Sequence, residues 1–496
     1  MMTEIPFIML DDKKSHFPLY LQIYEAIRLS VLSGNFDSQM RLPSTRSLAQ
    51  QLGVSRMTVV NAYEQLLAEG YIKGKTGAGT YVASVLPEQL LQTCDTVPQR
   101  SAASHARPPH SLSKRGKWLE RTYVTTSCTE DDKSFQAFQN GLPAVDKFPF
   151  DIWSRLATRW LRHPPRELLG YGDPAGYRPL RASIAQYLKA SRAVRCEPEQ
   201  VIIVSGAQQA LDLIARVLLD ADDAVWVEDP CYPGARDALH SAGAKLVSVP
   251  VDGDGFDLAA ALRRRKDARL VYVTPSHQYP LGVTMTLARR LALLEWANRA
   301  GAWIIEDDYN SEYRYAGRPL ASLQGLDVEG RVLYVGTFSK TIFPALRLGC
   351  LVVPPDLVDV FAAARAMTDR HSATLDQAIL TDFIEEGHFA RHIRRMRVLY
   401  EERQRILVAA AERELSGLLD VPPAEAGMHL VGWLPENVSD KAASESAARH
   451  RVKATPLSAY TLDLLPRGGL VLGYTSLNAR QIKDGVRKLA KALATM

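Results

Sequence analysis

The sequence predicts an N-terminal winged helix-turn-helix followed by an α/β domain. The larger part of that domain carries a mostly parallel seven-stranded sheet, and its remainder forms a small α+β lobe. Three observations carry this reading. Short amphipathic helices and a glycine-bearing hairpin fill the first stretch of chain. Seven short β-rich apolar runs then alternate with helical stretches between Val201 and Val353. Finally, 496 residues are too many for one small core.

The first unit spans residues 10–84. Pro18 opens a segment in which Leu19, Ile23, Ile27 and Val31 recur every four residues, and Gly34 closes it. A second helix starts after Ser44 and ends at Gly53. A third runs from a Ser55 N-cap through Val59, Ala62, Tyr63, Leu66 and Leu67 to Gly70. Tyr71–Lys75 and Thr80–Ala83 then flank Thr76-Gly77-Ala78-Gly79 as a hairpin. The second and third helices, joined by the tight Gly53-Val54 turn, make a helix-turn-helix whose later helix enters the major groove with its N-terminal residues on the bases. Ser55, Arg56, Met57 and Thr58 occupy that place, with Arg56 suited to guanine and the hydroxyls to phosphates or bases. Arg46 is placed for a phosphate, and Lys75 with Gly77 and Gly79 forms a wing able to approach the backbone closely. The competing reading is a protein-contact helical module with an ordinary N-cap.

Residues 85–125 read as a linker. From about Val85 to Ser111, Pro87, Pro98, Pro108 and Pro109 lie among Gln, Ser, Thr and Ala, which favours an extended, weakly structured chain over a helical stalk around Pro87–Cys94. The domain over 126–496 follows. Its seven runs are Val201–Val204, Ala224–Val227, Lys245–Val251, Leu270–Thr274, Trp303–Ile305, Val332–Gly336 and Gly349–Val353. Helical stretches such as Ala207–Leu219 and Ala288–Ala300 separate several of them, the pattern of a sheet covered on both faces. From about Thr381 the chain is mostly helical, with strand-like runs such as Gly469–Gly473.

Composition narrows the function. A net charge of +5 is too small for a global basic field, so a nucleic-acid argument must be local. Cys94, Cys128, Cys196, Cys231 and Cys350 form no C-x-x-C pair, which suits free thiols in a reducing cytosol and no metal site. Glu4, Asp11 and Asp12 argue against a signal peptide, and no apolar run is long enough for a membrane span. A cytoplasmic protein is expected.

Several strand ends carry residues that pyridoxal 5'-phosphate requires: an amine, an anion for the ring nitrogen, a donor to the phenolate oxygen and a phosphate cradle. Lys340 ends Gly336-Thr337-Phe338-Ser339-Lys340, just beyond a strand, where α/β sites form. Thr337 joins the candidate cofactor-binding set. Asp307 and Tyr309 follow another strand and suit the ring nitrogen and the phenolate. Ser205-Gly206-Ala207-Gln208 opens a helix whose free N–H groups, at Ala207 and Gln208, form an anion site, and Arg347 adds a guanidinium. Each feature alone has an ordinary reading: a solvated lysine, an Asp-Asp turn, a glycine bend.

Two resemblances cover nearly the whole chain. The stretch Leu42-Pro43-Ser44-x-Arg46-x-Leu48-Ala49, continuing through Leu52-Gly53-Val54-Ser55-Arg56-x-Thr58-Val59 to Gly77-x-Gly79-Thr80, resembles the winged helix of the GntR superfamily. Gln39 departs from it, standing where that family usually has glycine. Residues from about 130 to 496 resemble the aspartate-aminotransferase superfamily of fold-type I pyridoxal-phosphate enzymes. That resemblance implies a Schiff base on Lys340, a Tyr232 ring stacked on the cofactor and a Tyr171 hydroxyl on the neighbouring subunit's phosphate. His277-Gln278-Tyr279-Pro280-Leu281-Gly282 replaces the family's Asn-Pro-x-Gly, which leaves His277 and Tyr279 as candidate substitutes for the asparagine donor.

The combined architecture, with Thr274-Pro275-Ser276-His277-Gln278 and Glu306-Asp307-Asp308-Tyr309, resembles the MocR/GabR family of bacterial regulators. It implies a head-to-tail homodimer on double-stranded promoter DNA, each winged helix over the partner's cofactor domain. The effector would be pyridoxal phosphate, an amine or an amino acid. The alternative is an active aminotransferase with an accessory DNA-binding module. Against it, Gly469-Leu470-Val471-Leu472-Gly473-Tyr474 places Val471 where the enzymes carry a carboxylate-gripping arginine, with Arg467 the nearby candidate replacement.

Overall fold

The computed structural model describes residues 17–75, 79–86, 112–113, 115–120, 136–316, 320–463 and 465–496. The chain divides into two units between His110 and Ser111. In the first, α1 (Leu19–Leu32), α2 (Thr45–Leu52) and α3 (Arg56–Ala68) precede β1 (Ile72–Lys75) and β2 (Gly79–Val82). Ile23, Ile27 and Val31 of α1 meet Leu48 of α2 and Val59, Ala62 and Leu66 of α3 in one buried cluster. Ser44 and Ser55 cap their helices by accepting from the backbone N–H of Ser47 and Thr58, each at 3.1 Å. Gly53 ends α2 at φ 65°, a left-handed conformation that only glycine adopts without strain.

The wing has an edge that periodicity does not reveal. The Leu42 N–H donates to Thr80 O and the Val82 N–H to Met40 O, both at 2.9 Å, so 40–42 lies beside β2. Gln39 holds the turn before it at φ 63°, the left-handed region that a glycine would occupy freely.

The second unit is built on an eight-stranded sheet. Its strands are β3 (Val201–Val204), β4 (Ala224–Asp229), β5 (Lys245–Asp252), β6 (Gly255–Phe256), β7 (Leu270–Val273), β8 (Trp303–Asp308), β9 (Val332–Thr337) and β10 (Gly349–Val352). The order is β3-β10-β9-β8-β7-β4-β5-β6. Only β10, against β3 and β9, and β6, against β5, run antiparallel. The expected sheet of seven therefore gains a two-residue hairpin strand, too short to show as an apolar run. Strand β8 continues past Ile305 to Asp308 although its last residues are acidic. Each is buried against specific donors, which hydropathy does not register: Glu306 accepts from the N–H groups of Leu323 and Gln324, both at 2.8 Å.

Helices α4 (Arg178–Arg192) and α5 (Ala207–Leu218) precede and follow β3, and α6 (His388–Glu414) runs toward the small lobe. There β11 (His429–Trp433), β12 (Thr455–Pro456) and β13 (Gly469–Gly473) form an antiparallel sheet in the order β11-β13-β12. Helix α7 (Ala479–Ala494) packs against α6. Within 85–125, residues 115–120 are helical, and the Trp118 ring lies 4.9 Å from that of His240. The proposed stalk around Pro87–Cys94 lies outside the described residues. No described helix is long and apolar enough to cross a membrane, and the described residues contain no metal-ligating cluster.

Candidate cofactor and DNA-contact sites

The carboxyl ends of β8 and β9 open onto a cavity of about 200 Å³, also lined by the start of α5 and by Tyr232 beyond β4. Asp307, near the end of β8, is almost fully buried. Its Oδ2 accepts a 2.8 Å hydrogen bond from the Tyr272 hydroxyl, while its buried Oδ1 has no partner. Burial pushes this carboxyl up to about 7, with Asp308 adding to the rise and Tyr272 and Lys340 opposing it. Asp308 has a different role. It receives the Arg192 guanidinium at 2.7 Å and the hydroxyls of Tyr334 and Ser311, and so anchors the strand end.

Lys340 reaches the same cavity from the loop after β9. Its Nζ donates to Gly141 O at 2.9 Å. Gly141 sits at φ 79°, a conformation that favours glycine, and a Cβ there would stand 2.8 Å from that nitrogen and displace the lysine's tip. Burial, more than the nearby Arg347, lowers the lysine's pKa, while Asp307 opposes the shift. A less proton-bound amine is a better nucleophile at neutral pH.

Opposite, Gly206 precedes α5, whose first turn has backbone N–H groups with no carbonyl within the helix to meet. Arg347 donates from Nη2 to Ser205 O at 2.7 Å, and its guanidinium lies against Gly206, 3.1 Å from where a Cβ would be. Ala207, Gln208, Thr337 and Arg347 therefore line one end of the cavity, an anion cradle made of N–H groups, a hydroxyl and a cation. The unpaired buried Oδ1 of Asp307 at one side and this cradle at another fit a ring with a protonated nitrogen and a phosphate arm.

Tyr232, Tyr279 and Tyr309 complete the aromatic lining, with the Tyr232 and Tyr309 rings edge-on to Tyr279 at 5.8 and 5.6 Å. His277 does not line the cavity. Its Nε2 meets Ala426 O at 3.1 Å and its Nδ1 meets the Tyr309 hydroxyl at 2.8 Å. With Nε2 donating to a carbonyl, Nδ1 accepts from Tyr309. Burial pushes His277 down to about 3, so it stays neutral and orients Tyr309. Of the two candidate substitutes for asparagine, Tyr279 is the one at the cavity.

Tyr171 is 90% exposed and packs beside Arg370 and His371, away from the cavity of its own chain. Arg467 also lies elsewhere, beneath the Trp433 ring and donating to Leu434 O at 2.6 Å. Sequence reasoning missed Asn140, Gly141, Tyr272, Ser339, Met428 and His429, all of which line the cavity. Ser339 and Tyr272 stood within segments already singled out; the others come from distant stretches that no local pattern connects.

On the first unit, Arg46, Ser55, Arg56 and Met57 are exposed and Thr58 is partly so. Ser55 Oγ also meets Thr58 Oγ1 at 2.8 Å, which organises the first turn of α3. Arg41 lies against Gly79, at the turn end of the wing's strand pair. Gly77 and the Lys75 side chain lie outside the described residues.

The fold and this cavity define an aminotransferase-type domain preceded by a DNA-binding winged helix. Residues 147–489 match the family described as aminotransferase class I and II, and residues 19–82 match bacterial regulatory proteins of the gntR family. The chain is 43% identical over 485 residues to the probable rhizopine catabolism regulatory protein MocR of Rhizobium meliloti, covering 98% of this chain and 96% of that one. It is 31% identical over 499 residues to the pyridoxine biosynthesis transcriptional regulator PdxR of Corynebacterium glutamicum, covering 100% of both. Among solved structures, a multiple substrate aminotransferase from Thermococcus profundus superposes with a TM-score of 0.70 at 30% identity, covering 77% of this chain and 97% of that one. The α-aminoadipate aminotransferase LysN of Thermus thermophilus, complexed with N-(5'-phosphopyridoxyl)-L-leucine, gives 0.69 at 30% identity, covering 77% and 99%. The chain belongs to the MocR/GabR family of transcriptional regulators, with a GntR winged helix and an aminotransferase-like domain whose cofactor is pyridoxal phosphate.

Proposed function

We propose that this regulator holds pyridoxal phosphate covalently on Lys340 and answers to the cofactor itself or to an amine or amino acid arriving beside it. The carrying observation is the single cavity that gathers Lys340, the unpaired Oδ1 of Asp307 and the anion cradle at Arg347. When bound, the cofactor supplies a reactive aldehyde and an electron-accepting ring. Asp307 would meet the ring nitrogen, Tyr232 would stack, and Tyr309 would face the phenolate with Tyr279 nearby, the Tyr309 hydroxyl proton turning from His277 to the phenolate oxygen. Ala207, Gln208, Thr337 and Arg347 would hold the phosphate. Tyr171, exposed on its own chain, suits a phosphate in a partner subunit, which supports a head-to-tail homodimer.

The division into 10–84, 85–125 and 126–496 belongs to the same proposal, as does a cytoplasmic site of action. Arg46, Ser55, Arg56, Thr58, Lys75 and Gly77 are proposed as the contacts to duplex DNA. The second reading, a working aminotransferase with an accessory DNA module, is disfavoured by Val471. It is fully buried with Val431, Leu457 and Tyr460 against Tyr279, a cluster that cannot grip a carboxylate.

The test is the visible absorption band of purified protein incubated with pyridoxal phosphate. Borohydride should fix the cofactor on Lys340, and Lys340→Ala should abolish the band. A band that persists in that variant removes the proposal. Sustained multiple turnover of amino acids by the wild type would favour the enzyme reading instead.

A further inference from the structure

Resting on that reading, we infer that the space beside Lys340 takes a primary amine that carries a hydrogen-bond donor and has no carboxylate. Charge is the first argument. Among the described residues lining the cavity, the lysines and arginines are Lys340 and Arg347 alone. Lys340 is the cofactor's anchor, and Arg347 is committed to the cradle, braced by Ser205 O at 2.7 Å. His429 also lines the cavity, but its Nε2 donates to Pro280 O at 2.8 Å and burial pushes it down to about 4. It is therefore neutral. A carboxylate entering here would lose its water and find no uncommitted cation among this chain's described lining residues, which is strongly unfavourable.

The second argument concerns polarity of the opposite sense. Asn140 donates from Nδ2 to the Tyr279 hydroxyl at 2.9 Å, while its buried Oδ1 has no partner. The neutral His429, donating from Nε2, keeps Nδ1 as an acceptor. An unpartnered acceptor on a residue that lines the cavity calls for an O–H or N–H group on the ligand and disfavours a carboxylate. A third observation comes from the small lobe. Val471 sits midway along β13, paired with Val431 and Thr455, and its side chain joins the apolar cluster touching Tyr279. Arg467 cannot compensate from beneath Trp433.

The experiment uses full-length protein loaded with pyridoxal phosphate, and ethanolamine and L-serine as probes, because they differ only by the carboxylate. Binding is read by calorimetry and by the shift of the cofactor's absorption band. Ethanolamine should bind at least tenfold more tightly than serine. Asn140→Ala should weaken ethanolamine at least fivefold more than it weakens propylamine, which lacks the hydroxyl. Serine binding as tightly as ethanolamine, or neither binding, overturns the inference while an intact Lys340 band leaves the cofactor reading standing. A missing band before any amine is added removes that reading and the inference with it.

Discussion

Asp307 holds a carboxyl whose ionisation burial opposes. Its folded value is raised to about 7 from the ordinary 3.8. Between those values the folded chain keeps a proton that the unfolded chain has released, so cofactor-free stability falls as pH rises through the window. Glu228, buried beside Thr274 and also raised to about 7, contributes in the same sense. Asp307→Asn removes one of these groups. Between pH 5 and pH 8 the variant's cofactor-free stability should fall less than the wild type's, by on the order of 2 kcal/mol. Its affinity for pyridoxal phosphate should drop at least tenfold. Denaturant midpoints at the two pH values check the first, and an unchanged slope would sink it. The residues of this site were legible where strand ends carry unusual chemistry, as at Lys340, Asp307 and Arg347. Asn140 and His429 were not, because the fold brings them in from segments far away in sequence.

Helix and turn chemistry make the first unit readable almost residue by residue. Ser44, Gly53 and Ser55 each announce a helix end by a local hydrogen bond or a φ that side chains avoid. Removing such a cap costs about 1 kcal/mol, so Ser55→Ala should lower the unit's stability by that amount. Gln39 is the opposite case. A non-glycine residue held at φ 63° is strained, and Gln39→Gly should raise the thermal stability of this unit by about 1 kcal/mol. A destabilised Gln39→Gly variant would show that its side chain compensates. Arg56→Ala, at an exposed first-turn position of α3, should abolish specific promoter binding and leave the fold intact. Retention of specific binding would remove Arg56 from the base contacts. The edge formed by residues 40–42 escaped the sequence because three residues carry no period. Likewise β8 outran its apolar part, since its acidic end is stabilised by partners elsewhere in the chain.

At the scale of the whole molecule, alternation of apolar runs and helices made the large sheet legible, including the places of its seven longer strands. The direction of β10 was not, because alternation gives positions and not orientations. Neither was the fate of Arg467, whose place depends on how β13 is paired. The two units differ in what they bind, and heating should expose this. Saturating pyridoxal phosphate should raise the unfolding temperature of the larger unit, by about 2.7 kcal/mol of added stability at a hundredfold excess over Kd, and leave the winged helix where it was. Calorimetry with and without cofactor checks this, and a joint shift would show that the two unfold together.

The hairpin joining β9 to β10 has a consequence of its own. It is pinned at its base, where the Phe338 N–H donates to Leu348 O at 3.0 Å, and it carries both Lys340 and Arg347. The proposed covalent anchor and the proposed phosphate-binding guanidinium are thus two fingers of one hand. Both residues share one hairpin, and Arg347 is tied through Ser205 O to the residue just before Gly206 and α5. Chemistry at the Lys340 nitrogen would thus fall on the same short hairpin that carries Arg347.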